Sequence, residues 1–138
     1  MKELLREIFP KIMEKVFFLV AEELEGGTSS QRGDYVAEII LKGPKLLTIR
    51  ILVPRSLGLM MFKNLFPDED PEEDRLKDML RELANMVGGN LISFLGSQWQ
   101  LGFPQVYTSI EALGFLIGKN PILEYDVEGE TIALYLES

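Results

Sequence analysis

Four residues between positions 78 and 89 could act together on a bound molecule: two carboxylates, a carboxamide and a glycine. On an ideal helix of about 100° per residue, Asp78, Glu82, Asn85 and Gly89 fall within an arc of roughly 60°. The non-polar residues of the same stretch centre on the opposite side, so this arc is predicted to face solvent. Glycine in an exposed helix costs about 1 kcal/mol relative to alanine, and close approach of another backbone at Gly89 would explain its presence. The spacing therefore predicts a helix face that contacts a partner.

The rest of the composition offers few other reactive groups. The 138 residues include no histidine and no cysteine, which excludes the commonest general base, the usual zinc ligands, disulfides and thiol nucleophiles. The absence of cysteine also fits a cytoplasmic protein. There is no glycine-rich phosphate loop of the Walker type. A formal net charge of −8 argues against nucleic-acid binding, which needs a basic surface.

The pattern Asp/Ser-x-x-x-Glu-x-x-Asn-x-x-x-Gly at these positions resembles the active-site helix of the CheC/CheX/FliY family of chemotaxis phosphatases. Members of this family accelerate hydrolysis of the aspartyl phosphate on CheY-type response regulators. The resemblance implies that Asn85 enters the regulator's site and orients the attacking water, and that Glu82 pairs with the regulator's active-site lysine. Asp78 and Gly89 would be partner-binding positions that shape the face and admit the regulator. The regulator would supply Mg²⁺, and this chain would need no metal or cofactor of its own.

The elements that must position this face follow from hydrophobic periodicity and from turn and cap residues. We predict helices over residues 2–24, 56–66 and 71–95. We predict strands over residues 35–41, 46–53, 105–109, 113–117, 122–127 and 131–136. Pro10 would kink the first helix or mark a later start, and residues 26–33 read as a flexible break.

The motif-bearing helix has an acidic start. Asp70 is predicted to be its N-cap, Pro71 its first residue, and Glu73 the partner of Asp70 in a capping-box-like spacing. This interpretation is favoured over a docking patch for a basic partner. The helix is predicted to end at Gly96.

Together these elements predict one domain over residues 1–138 with an α+β fold, a mostly antiparallel sheet with two long helices packed on it. Val16–Ala21 is interpreted as a buried helix segment, because no non-polar run is long enough to span a bilayer. The order of elements resembles the CheX arrangement. CheC proteins carry a second Glu-x-x-Asn on the first helix, whereas that helix contains no asparagine here. By the same resemblance we expect a homodimer, since CheX relatives pair through sheet edges.

Three other interpretations remain open. Glu82 and Asn85 could be ordinary solvated helix residues. The chain could instead be a non-catalytic binding or assembly module of a CheC-like or flagellar-switch-like fold. Asp78 and Glu82 could bind a metal, although two carboxylates without further ligands rarely suffice. Elsewhere, aromatic and methionine residues are predicted to pack in the core or at its rim: Phe94, Trp99, Phe103, Met60, Met61, Met79 and Met86.

Overall fold

A computed structural model describes residues 1–25 and 33–138, without the side chains of residues 109, 112 and 113. The predicted break at 26–33 lies outside the described residues except for Gly33. Within the described ranges there are four helices: α1 Lys2–Phe17, α2 Arg55–Leu65, α3 Glu73–Leu95 and α4 Ser109–Leu116. The strands are β1 Glu22–Glu23, β2 Tyr35–Lys42, β3 Leu46–Val53, β4 Gln100–Leu101, β5 Gln105–Thr108, β6 Leu123–Val127 and β7 Glu130–Glu137.

The strands form one seven-stranded antiparallel sheet in the order β1-β6-β7-β3-β2, and both β4 and β5 pair with the outer side of β2. The hairpin of β2 and β3 pairs Tyr35 with Val53 and Lys42 with Leu46. The hairpin of β6 and β7 turns at Glu128 and Gly129, both with positive φ. The structure thus confirms the predicted α+β class, the two predicted hairpins and the predicted strand at β5.

The main core lies between one face of the sheet and the helices α1, α2 and α3. Because side chains alternate along a strand, every second residue of the central strands points into this core. On β2 and β3, Ile39, Ile49 and Ile51 are fully buried there. From α3, Leu80 and Leu83 pack into the same core without exposure. The core therefore fixes which side of α3 faces outward.

The opposite face of the sheet carries a smaller cluster that includes Val36, Leu52 and Tyr135, covered by Leu116 of α4. Residues 113–117 were predicted to form a strand, and this prediction is wrong. A helix at this position places Phe115 and Leu116 against the second sheet face, and a short sequence window cannot reveal that such a face needs contacts.

Helix α1 ends seven residues earlier than predicted. Phe18 adopts a left-handed conformation with φ 58° and ψ 36°. The N–H groups of Phe18 and Leu19 both donate to the Met13 carbonyl oxygen, the second at 3.1 Å, so the last turn closes on Met13 and the helix ends. The chain then forms β1, where Glu23 is paired with Arg6 at 2.7 Å. Val16–Ala21 is thus only partly helical. The helix runs through Pro10 without the predicted late start.

The predicted cap of α3 is also wrong. The helix begins at Glu73 with Glu72 as N-cap, and no side chain caps it. The Glu73 carboxylate instead accepts hydrogen bonds from the Tyr35 hydroxyl at 2.8 Å and from Arg55 at 2.7 Å. Glu73 therefore ties the start of α3 to β2 and α2, which is a tertiary role.

Two predictions of aromatic packing fail, because Phe94 and Phe103 are 61% and 88% exposed. Trp99 is half-buried at the rim and lies against Gly43. The four methionines are buried or packed against the core, as predicted. Among the described residues, none of the helices combines the length and the non-polar character that crossing a bilayer requires.

Candidate functional site

The predicted face exists on α3, which is one continuous helix over Glu73–Leu95. Asp78 and Glu82 are exposed, and Asn85 and Gly89 are half-buried. The opposite side of the helix is packed into the core described above. Rotation of the helix is therefore set by its non-polar side, and the four motif residues are left together at the surface.

The motif residues differ in the partners they already have. Asp78 forms an ion pair with Arg81 at 2.5 Å, one turn along the same helix. Within the part of the chain that the structure describes, Glu82 and Asn85 make no hydrogen bond or ion pair. Their carboxylate and carboxamide are thus free to bind groups from outside the chain.

The two adjacent glycines of this helix have different structural reasons. A Cβ on Gly88 would lie 2.7 Å from Leu101 Cδ1 and 2.9 Å from Ile39 Cγ1, so Gly88 lets α3 lie close to β2 and β4. A Cβ on Gly89 would meet no atom within 4 Å. No packing constraint in the described structure therefore explains Gly89, whereas the sequence had left both glycines without a local benefit.

Beside the motif lies a groove of about 380 Å³ between α3 and the ends of α1 and α2. We call it the α-groove. Its walls include non-polar side chains from all three helices and two carboxylates of the motif: Val16, Phe17, Leu65, Phe66, Met79, Met86, Asp78 and Glu82. Arg75 completes the lining. Sequence reasoning missed this groove, because Met79 and Met86 were assigned to core packing and Val16–Ala21 to a buried helix segment.

Arg75 is held by an ion pair and by aromatic contacts at one end of the α-groove. Its guanidinium forms two hydrogen bonds with the Glu69 carboxylate, at 2.6 and 3.0 Å. The same group lies over the rings of Phe62 and Phe66, 5.6 and 5.2 Å from their centroids. The hydrogen bonds from Arg75 keep the pKa of Glu69 below its usual value. Both groups are therefore charged near neutral pH. Their ion pair shapes this end of the groove in the free protein.

The metal interpretation gains no support. Among the described residues there is no group of three or more acidic, histidine or cysteine side chains that could hold a metal ion. Asp78 is engaged by Arg81, and no further carboxylate of residues 1–25 and 33–138 converges with Glu82 on a common site. The arrangement is suited instead to hydrogen bonding and ion pairing with a partner.

Comparison with known proteins identifies the family of this chain. The family model described as chemotaxis phosphatase CheX matches residues 35–113, more than half of the 138 residues. This range contains β2, β3, α2 and the whole of α3. A search of curated proteins found no match.

Solved structures share the fold over nearly their full length. The chemotaxis protein CheX from Vibrio vulnificus is 16% identical, with 98% of this chain and 95% of that chain covered and a TM-score of 0.74. The CheX of a CheX–CheY–BeF₃–Mg²⁺ complex from Borrelia burgdorferi is 16% identical, with 99% and 97% covered and a TM-score of 0.73. FliY from Thermotoga maritima is more distant, at 9% identity, 99% and 87% coverage and a TM-score of 0.53.

The family model matches a range that includes α3, and it names the family that the motif resembles. The chain belongs to the CheX family of chemotaxis phosphatases.

Proposed function

We propose that this protein accelerates hydrolysis of the aspartyl phosphate on a CheY-type response regulator, with Asn85 orienting the attacking water and Glu82 pairing with the regulator's active-site lysine. The observation that carries the proposal is the pair at the surface of α3, the exposed Glu82 carboxylate and the half-buried Asn85 carboxamide, one turn apart and with no partner among the described residues. The family match supports the reaction class. The Borrelia burgdorferi relative, solved with CheY, BeF₃ and Mg²⁺, supports the kind of partner.

Hydrolysis requires a water molecule in line with the bond between phosphorus and the aspartate oxygen. The water attacks phosphorus, that bond breaks, and the products are free carboxylate and inorganic phosphate. An amide can hold this water by hydrogen bonding without exchanging a proton, and positioning is the main assistance that phosphoryl transfer needs. Asn85 supplies the amide, and its short side chain requires that the regulator approach α3 closely.

Glu82 has an orienting role in this proposal. Its carboxylate pairs with the lysine of the regulator's active site and so fixes the angle at which Asn85 enters. Asp78 and Gly89 flank the pair on the same face. The Mg²⁺ belongs to the regulator, where it offsets the charge on the phosphoryl group.

The test is single-turnover release of phosphate from a phosphorylated CheY-type regulator by wild type and Asn85→Ala. We expect Asn85→Ala to lose roughly 100-fold or more of the rate enhancement at saturation while binding of the regulator changes by less than about threefold. Alanine favours a helix more than asparagine does, so loss of activity would not reflect unfolding.

The matched control is Asn90→Ala. Asn90 is exposed on α3, and its amide donates to the Met86 carbonyl oxygen at 2.7 Å, so it lies off the motif face. Asn90→Ala should keep wild-type activity. Equal rates for Asn85→Ala and wild type would refute the mechanism, and regulator binding without any hydrolysis by wild type would favour a non-catalytic binding module.

A further inference from the structure

The α-groove and the motif face are continuous. Measured around α3 from Asp78, Glu82 lies at about 40°, Arg75 at about 60°, Met86 at about 80° and Met79 at about 100°. The helix thus passes from the polar motif to the non-polar groove wall within about 100° of its circumference. Because Glu82 lines the groove itself, any molecule bound to its carboxylate also lies at the mouth of the groove.

We propose that the α-groove receives a non-polar side chain of the response regulator, one that neighbours the lysine paired by Glu82, and that this contact selects which regulator is bound. The inference rests on the proposed function and adds to it a specificity surface outside the motif.

Charge and shape argue for this occupant. Of the charged groups that line the groove, Asp78 is paired with Arg81 and Arg75 with Glu69, which leaves Glu82 as the carboxylate without a partner among the described residues. The chain as a whole has a net charge of −8, so a segment that presents a cation beside a non-polar side chain is complementary. A second copy of this acidic chain is not. A contact of this kind, with a buried non-polar centre and a charged rim, is the usual arrangement of a small protein interface.

The end of the groove at Arg75 is already shaped in the free protein, which favours an occupant that binds in one defined position. Arg75 is already paired with Glu69 and lies over two aromatic rings in the free protein, which reduces the side-chain entropy lost there on binding. Exposed non-polar surface also continues past the groove along the chain, because Phe18, directly after the groove residue Phe17, is 70% exposed.

The experiment measures the dissociation constant of the full chain for a CheY-type regulator activated with beryllofluoride and Mg²⁺, with phosphate release at saturation as the second readout. In the groove, Leu65→Glu places a charge on a non-polar wall. We expect it to weaken binding about tenfold, equivalent to 1.4 kcal/mol, with the saturated rate within about twofold of wild type. The matched control is Leu46→Glu, at a leucine that is 59% exposed beside the β2–β3 turn and outside the groove.

Leu65 also packs against the core, so Leu65→Glu could fail to fold. In that case a second pair of variants, with smaller changes, tests the same contact. Val16→Thr keeps the side-chain shape in the groove wall and should weaken binding about threefold. Val20→Thr, at a valine that is 63% exposed and outside the groove, should not.

The outcomes separate this inference from the proposed function. Wild-type binding by Leu65→Glu or Val16→Thr, or equal weakening by the control variants, would overturn the inference alone. Loss of self-association without loss of regulator binding would assign the groove to a second copy of the chain and would also overturn it. Failure of the wild-type protein to bind any CheY-type regulator would overturn the proposed function and the inference together.

Discussion

Replacing Gly89 by alanine should stabilise the protein and yet weaken its function. The helix is continuous at this position, and the added Cβ meets no atom within 4 Å. The exchange therefore brings the full difference in helix propensity between glycine and alanine, about 1 kcal/mol, partly through lower entropy of the unfolded chain. We expect the free energy of unfolding to rise by this amount.

Gly88→Ala is the matched control, one residue away in the same helix. It has the same gain in propensity, but its Cβ would lie 2.7 Å from Leu101 Cδ1 and 2.9 Å from Ile39 Cγ1. Leu101 is exposed and can move, whereas Ile39 is fully buried. Overpacking of a core costs about 1–3 kcal/mol, so the net change should lie between about zero and a loss of 2 kcal/mol.

Urea unfolding and thermal melts measure both variants. The two should differ by about 1–3 kcal/mol, and Gly89→Ala alone should raise the melting temperature by several degrees, since 1 kcal/mol corresponds to about 2–8 °C in domains of this size range. Equal stabilisation by both alanines would refute the packing argument for Gly88. A destabilised Gly89→Ala would refute the argument that this position is unconstrained within the fold.

Function supplies the second half of the test. If Gly89 admits a closely approaching regulator, Gly89→Ala should bind an activated CheY-type regulator more weakly than wild type, despite its greater stability. Gly88→Ala should bind normally once corrected for the folded fraction, because residue 88 faces the sheet. Normal binding by Gly89→Ala would remove Gly89 from the partner-binding face.

Glu82→Lys should weaken regulator binding by placing like charges together, and added salt should weaken wild-type binding. A dissociation constant that neither the substitution nor salt changes would contradict the orienting role. Hydrogen bonds from Arg55 and Tyr35 lower the pKa of Glu73 from 4.5, so its stabilising contribution is present above that value and is lost as pH falls through the lower folded pKa. In urea titrations from pH 7 into this acid range, the free energy of unfolding of Glu73→Gln should lie less than about 1 kcal/mol below that of wild type near pH 7. It should also depend less steeply on pH than that of wild type. A pH profile parallel to wild type would contradict this. Phe18→Gly should raise the free energy of unfolding by about 1 kcal/mol, because glycine relieves the left-handed backbone; a lower melting temperature would show that the Phe18 side chain contributes more than the strain.

Much of the fold was predictable because it depends on local patterns. The two long hairpins alternate or are bounded by turn residues, and α3 has a non-polar stripe long enough to define both its existence and its outward face. For the same reason the position of Asp78, Glu82 and Asn85 at the surface was predictable, because burying one side of a helix determines the other. The motif spacing also placed the chain in its family, which the family model confirmed.

What the sequence could not predict depends on contacts between distant residues. Residues 18–24 continue a helical pattern, but pairing of β1 with β6 ends α1 at Phe17. Residues 109–116 form a helix that packs against the second face of the sheet, and this contact joins residues distant in sequence. Glu73 has the spacing of a capping residue, yet Arg55 and Tyr35 lie close enough in space to bind it instead.

The site shows the same division. The sequence alone determined which residues share the face of α3, because the helical repeat does not depend on the rest of the molecule. Only the tertiary structure decided that Gly88 is needed for close packing while Gly89 is not, since that depends on where Ile39 and Leu101 lie. It also created the α-groove, whose walls come from three helices that are separate in sequence. A periodic pattern can state which way one helix faces, but a groove between helices exists only once they have packed.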